Sequence, residues 1–344
     1  MSEKLGRLSG EKDSRLKLDL KDRKILSLLS EDSRMPLTQI AKKVQLSRDS
    51  VNYRINRMKR KGVILRFFPI IELKQFGYQN YLVYMLLDEK DKEDQKRFIS
   101  ALKSHPNVRA IMEYSDRWDI GLVIVAKGLL DFDNVITDIM NISNDLVIEK
   151  EKLAVIKEYH NIHLPQKFYW DIKHEFKHRG SLKEKVKMDE TDFKIMRILS
   201  KDARLSTVII GERLGISPDA VSYRIKNLLK NNVIKRFSVL VDLSKLNYNW
   251  YTYCISTKVF DEKADIKIKG FIRKHPYILK AVKTVGNWDL VLQIVTEGQK
   301  MFHSIVKEIK NEFASIIKTY ETNIAYKEHL YEPFPEVIKF DSKE

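Results

Sequence analysis

The chain has 344 residues, 43% of them apolar and 32% charged, which is the composition of a folded protein with at least two domains and excludes a disordered or collagen-like one. The single cysteine, Cys254, excludes an intramolecular disulfide framework and a cysteine metal cluster, and suits a reducing cytoplasm. Lys and Arg number 63 against 47 Asp and Glu, and the net charge of +16 favours a polyanionic partner, either nucleic acid or an acidic membrane surface. The first residues lack the apolar core of a signal peptide. The longest apolar runs, 81–87 and 120–126, fall far short of the about 20 residues that cross a bilayer, so no membrane span is expected.

The chain is one unit written twice. Asp19, Asp22, Lys24 and Ile25 recur as Asp189, Asp192, Lys194 and Ile195, an offset of 170 residues. The offset still holds for Trp118-Asp119 against Trp288-Asp289 and for Lys157-Glu158 against Lys327-Glu328. Each unit opens with three helical patterns. In the first, Ile25, Leu28 and Leu29 (Ile195, Ile198, Leu199) form a core-facing stripe. In the second, Leu37, Ile40, Ala41 and Val44 (Thr207, Ile210, Gly211, Leu214) form another, followed by a sharp turn at Gln45 or Gly215. Glycine suits the left-handed backbone of such a turn, and Gln45 in its place costs about 1 kcal/mol.

The third pattern starts at Ser47 or Ser217 as N-cap, with Pro218 at the first helical position, and stops at Gly62 or Asn232. Val51, Ile55 and Met58 face inward. At 100° per residue the opposite side carries Asn52, Tyr53, Asn56, Arg57 and Arg60, with Arg48 at the start. The second copy presents Ser222, Tyr223, Lys226, Asn227 and Lys230. Residues 48–66 carry a net charge of +6 and residues 218–236 a net +4. A helix-turn-helix lays its second helix in the major groove, where Asn and Arg read adenine and guanine edges and surrounding cations neutralise phosphates. Double-stranded DNA is therefore the expected partner. Residues 63–77 and 233–247 read as strands of a winged hairpin, from which Arg66 and Arg236 either reach phosphates or support the hairpin.

The rest of each unit alternates strand and helix as βαββαβ, the order of a ferredoxin-like sandwich. The expected class is α+β: winged helix-turn-helix 18–78, ferredoxin-like 79–160, linker 161–187, winged helix-turn-helix 188–248 and ferredoxin-like 249–332.

The pattern Leu18-Asp19, Asp22, Ile25-Leu26, Leu29, Arg34, Ile40-Ala41, Leu46-Ser47, Val51, Arg54-Ile55, Gly62-Val63-Ile64, Gly77 resembles the leucine-responsive/asparagine-operon (Lrp/AsnC) transcription regulators, and the second unit matches it too. Gly286-Asn287-Trp288-Asp289 is similar to that family's Gly-x-aromatic-Asp turn. The resemblance implies DNA binding by the first module and sensing of an amino acid or related effector near the turn, at Gly286, Asn287 and Asp289 and at Ser115, Asp116 and Asp119 of the first copy. Asp116 stands where the glycine would be, which weakens the first site. The alternative is that Trp118 and Trp288 are core aromatics and the aspartates ordinary turn residues. Family members pair through the second module, so the joined copies are expected to form a pseudo-dimer within one chain, and two chains a homodimer of such units.

The same architecture is similar to siroheme decarboxylases, which are enzymes. That reading asks for haem-site histidines after a second-module strand, and residues 107–119 and 277–289 contain none. In the connector, His174-Glu175-Phe176-Lys177-His178 matches H-E-x-x-H, but on a helix from Pro165 to Gly180 both histidines would point to solvent. His160 and His163 are the other candidate metal ligands nearby. No cofactor motif appears, and the expectation is a cytoplasmic, non-enzymatic regulator.

Overall fold

The computed structural model describes residues 6–9, 17–88, 92–166 and 186–340. The first unit begins with helices α1 (Leu20–Glu31), α2 (Leu37–Val44) and α3 (Arg48–Arg60), then strand β1 (Ile64–Ile71). It continues as β2 (Gln79–Leu87), α4 (Lys92–Ser104), β3 (Val108–Tyr114), β4 (Ile120–Ala126), α5 (Leu129–Ser143) and β5 (Val147–Asn161). The second unit repeats it as α6 (Glu190–Lys201), α7 (Thr207–Leu214), α8 (Pro218–Lys230) and β6 (Ile234–Val241). Then follow β7 (Asn249–Thr257), α9 (Glu262–Lys274), β8 (Ile278–Val285), β9 (Leu290–Thr296), α10 (Gln299–Glu312) and β10 (Ile317–Tyr331).

Local chemistry sets the helix ends where the sequence places them. Asp19 and Asp22 form a reciprocal capping box on α1, as do Asp189 and Asp192 on α6. Ser47 and Ser217 accept from the backbone N–H three residues on, and Pro218 occupies the first turn of α8. Gln45 is left-handed at φ 55°, as Gly215 is at φ 67°, so the strained turn of the first copy is real.

The expected winged hairpin is not what forms. Each unit supplies one strand, and β1 pairs antiparallel with β6 across an approximate twofold axis, Phe67 opposite Val239 and Pro69 opposite Phe237. Helix α1 packs on β6 and helix α6 on β1, so each unit's first helix covers the other's strand. Reciprocal bonds lock the exchange. Ser33 N donates to Phe237 O and Ala203 N to Phe67 O. Arg34 donates to the carbonyls of Ala203 (2.6 Å) and Leu205 (2.9 Å), and Arg204 to those of Ser33 (2.5 Å) and Met35 (3.4 Å).

The βαββαβ modules form the expected four-stranded antiparallel sheets, in order β3-β4-β2-β5 and β8-β9-β7-β10. The last strand of each pairs with the second strand of the other, β5 with β8 and β10 with β3, and the eight strands close into a barrel. The intrachain pseudo-dimer is thus built of continuous backbone hydrogen bonds. Alternate residues divide the sheets. Tyr81, Val83 and Met85 face the helices, with Tyr81 stacked on Phe132 at 4.1 Å, and Tyr251 on Phe302 at 3.8 Å repeats this. Leu82 and Tyr84 join Met112, Tyr114, Trp250 and Cys254 in the core that runs on into the helix-turn-helix pair.

The connector helix, the H-E-x-x-H segment and its two histidines lie outside the described residues. His160 and His163 are both buried, and among the described residues no three His, Cys, Asp or Glu gather as a metal site would require.

Candidate nucleic-acid interface

Helix α3 buries Val51, Ile55 and Met58 and leaves Arg48, Asn52, Tyr53, Asn56 and Arg60 exposed; α8 buries Val221, Ile225 and Leu228 and leaves Tyr223, Lys226, Asn227 and Lys230 exposed. Ser222 is half-buried. Tyr53 and Tyr223 are 60% and 73% exposed, large aromatic surfaces that the described residues leave open. Both faces lie on one block, because the β1–β6 sheet and the Arg34 and Arg204 bonds join the two helix-turn-helix units.

Arg57 departs from the outward position that helical spacing gives it. It is half-buried, its Nη2 donates to the fully buried Asp22 carboxylate at 2.5 Å, and Nε is buried without a partner. The same carboxylate takes Arg54 at 2.8 Å, while Arg54 also reaches Asp19 at 2.7 Å. Desolvation of Asp19 is outweighed by the Asp22 backbone N–H and Arg54, which hold its carboxyl below the usual range. The charge of Arg57 is therefore partly spent within the protein. At the matching place in the second unit Asn227 is exposed, and among the described residues Asp192 takes a single arginine, Arg224, at 2.9 Å.

Of the two roles open to Arg66 and Arg236, phosphate contact or structural support, their partners favour support. Arg66 donates to Tyr331 O at 2.5 Å, with Glu332 at 3.8 Å, and Arg236 donates to Asn161 O at 3.2 Å. Both arginines anchor the helix-turn-helix block to the ends of the barrel's long strands.

At the turns of the second module the aspartates bind backbone. Asp119 accepts from Leu87 N at 2.7 Å, and Asp289 accepts from Thr257 N at 2.7 Å and Thr257 Oγ1 at 2.8 Å. Trp118 and Trp288 are buried, and Trp118 donates to Glu321 at 2.9 Å. In the first copy Ser115 N donates to Ile324 O, and Asp116 accepts from Ile324 N at 2.5 Å, so both edge residues are used in docking β10. In the second copy Gly286, at φ 143°, passes so close to β5 that a Cβ would lie 2.5 Å from Leu153 Cδ2 and 2.9 Å from Lys152 O. Gly286 and Asn287 are exposed there, beside an open groove of about 540 Å³ lined by Tyr81, Leu129, Leu130, Lys152, Ala154 and Val285.

Comparison with known proteins agrees with this geometry. A family model for winged helix-turn-helix DNA-binding matches residues 18–64 and again 188–235. The leucine-responsive regulatory protein of Rhizobium meliloti is 30% identical over 127 residues, 36% of this chain and 80% of that protein. Regulatory protein AsnC of Haemophilus influenzae is 27% identical over 139 residues, 40% of this chain and 91% of that one. Among solved structures, the siroheme decarboxylase NirDL follows the fold along both halves, with a TM-score of 0.61 over 92% of this chain and 97% of that one. Its identity of 14% shows a shared fold alone. Most of a 30% identical regulator aligns here and the helix-turn-helix is matched in both halves, so the chain belongs to the Lrp/AsnC family, in duplicated form.

Proposed function

We propose that this chain is a sequence-specific transcription regulator that binds double-stranded DNA through α3 and α8. The observation that carries the reading is the pair of solvent-facing helices held on one block by the shared β1–β6 sheet. A block of this kind sets half-sites at a fixed separation, on the order of one helical turn (about 34 Å) or a multiple of it. The two faces differ, with Asn56 and a tethered Arg57 against Lys226 and Asn227, so the preferred operator is an imperfect palindrome. Selection of bound duplexes from a random pool tests this. Enrichment of two unlike half-sites at one spacing supports it, and no enrichment at low ionic strength overturns it.

The sensing half of the proposal places an amino acid or related effector in the groove beside Gly286 and Asn287, where the turn still has exposed groups. In this reading Asp289, Asp119, Ser115 and Asp116 shape the turns rather than hold the ligand. Amino acids that shift DNA affinity in the parent and not in an Asn287→Ala variant support it. Further assembly of chains into a homodimer, measured by light scattering, and a cytoplasmic location alongside the DNA complete the proposal.

A second reading, chemistry on a siroheme-like tetrapyrrole, draws on the fold shared along 92% of the chain. The chamber lined by the barrel strands and Arg7 is about 50 Å³, against the 300–1,000 Å³ of ordinary ligand pockets. We favour the regulator role because the relatives 30% and 27% identical to this chain are regulators. An absorbance change on mixing with siroheme would reverse that choice.

A further inference from the structure

Residues 6–9 run through the interior where the second helix-turn-helix unit meets the barrel. Arg7 is 7% exposed. It donates through Nη2 to Glu328 Oε1 at 2.6 Å and through Nε to Glu328 Oε2 at 3.0 Å, between the rings of Trp250 (4.6 Å) and Tyr331 (4.3 Å). Its carbonyl accepts from Leu243 N, and that of Leu8 from Glu328 N. Beside this pair lies the chamber of about 50 Å³, whose polar lining includes Arg7, Arg109, Asn161, Lys280, Gln293 and Glu328.

The charges around this space do not balance. Arg7 and Glu328 cancel each other. Arg109 gives Nη1 to the neutral side-chain oxygen of Asn80 at 3.0 Å, and its Nε is buried without a partner. Among the described residues neither Arg109 nor Lys280 forms an ion pair. Glu158 and Glu328 act on Lys280 only at longer range. Two half-buried cations thus line one small space, where they repel each other. Their neighbours register it. Burial, opposed by Glu158 and Glu328 but reinforced by the charges of Arg109 and Arg7, leaves Lys280 pushed down to about 8. His163 is 2% exposed, lies against Tyr331, and has neither ring nitrogen partnered. Burial together with Arg7, Arg236, Arg109 and Lys280 holds it far below the usual histidine range.

We propose that this chamber is a binding site for a small oxyanion, a phosphate or carboxylate group held by Arg109 and Lys280, separate from the DNA-reading helices and from the turn at Gly286. A water needs about 10–15 Å³ measured in this way, so the space holds several waters or one compact anionic group. The anion would sit between Arg109 on β3 and Lys280 on β8, strands of the two different units, beside the arm that ties the barrel to the second helix-turn-helix unit.

The test is thermal unfolding of the full chain at low ionic strength, titrated with sodium phosphate or sodium succinate, with sodium chloride at matched ionic strength as the control. The expected result is a saturable rise in Tm of about 3 °C or more beyond chloride with at least one probe; which probe acts tells phosphate from carboxylate. Lys280→Met abolishes the rise, and without anion it raises Tm because it removes an uncompensated charge. An Arg60→Ala, Lys230→Ala double variant, weakened in DNA binding, keeps the rise. A shift no larger than chloride gives, one that survives Lys280→Met, or one lost with the recognition-helix substitutions overturns the proposal.

Discussion

Asp22 and Asp192 occupy the same position in the two units, yet the structure gives them different work, and the difference sets an internal control. Asp22 is fully buried and accepts from Arg54, Arg57 and the Asp19 backbone N–H. Asp192 is 14% exposed and takes one arginine, Arg224, with the Asp189 N–H. Hydrogen bonds to charged groups contribute about 1.5–3 kcal/mol each, and breaking a buried pair costs about 3–5 kcal/mol. The arginines at Asp22 keep 22% and 30% of their surface, so water recovers part of that loss and the lower end applies, about 3 kcal/mol for Asp22→Ala. Asp192→Ala loses the same backbone N–H bond but only one arginine, and should cost about 1.5 kcal/mol. The difference is about a factor of ten in the folding equilibrium. Urea unfolding followed by tryptophan fluorescence reads both, with equal slopes required for the comparison. Equal costs, or a cost under about 1 kcal/mol for Asp22→Ala, would refute the view that Arg57 is tethered. A cycle with Arg57→Ala isolates the Asp22–Arg57 term, expected at about 1–2 kcal/mol.

Gln45→Gly should stabilise the chain by about 1 kcal/mol by relieving a left-handed backbone, and Gly215→Gln should cost a similar amount, both read by chemical denaturation. Arg60→Ala or Lys230→Ala should lower DNA affinity evenly across sequences and reduce the slope of log affinity against log salt by about 1, measured by fluorescence anisotropy. Gly286→Ala should destabilise by about 2 kcal/mol through the contact with Leu153 and the positive φ, and an unchanged Tm would contradict the close approach to β5. His275 is held down to about 4 by burial, and its Nδ1 accepts from Tyr277 N. Because the folded value lies below the unfolded one, its contribution is complete above about pH 6.5 and is lost as pH falls towards 4. A His275→Asn variant should show a flatter stability profile in that window.

Much of the fold was legible because its signals are local. Ser47, Pro218, Gly62 and Asn232 mark helix ends through the geometry of a single turn, and the 170-residue offset makes each assignment twice. The β1–β6 pairing was not legible. The nearly continuous apolar run 64–71 states that the strand is buried, and that pattern is the same whether the partner strand belongs to the same unit or to its copy. For the same reason the sequence leaves open whether Arg66 and Arg236 reach phosphates or support the strands. Their real acceptors, the carbonyls of Tyr331 and Asn161, are distant in sequence, and a carbonyl carries no side-chain signature. Arg57 was misplaced because helical spacing reports the direction of Cβ, whereas a long side chain can bend back to a buried carboxylate on another helix. The arm at Arg7 has no periodic pattern, and only its docking against Glu328 reveals it.

Joining the two copies in one polypeptide frees each side of the axis to evolve alone. An assembly of identical subunits must accept every substitution at two symmetry-related places, including any place where the change is harmful. Here Gly286 lets the turn approach β5 on one flank while Asp116 serves a different contact on the other. A recognition helix can likewise acquire a new preference without its twin following, so a single gene gains the combinatorial range of a heteromer with no unlike partner to find.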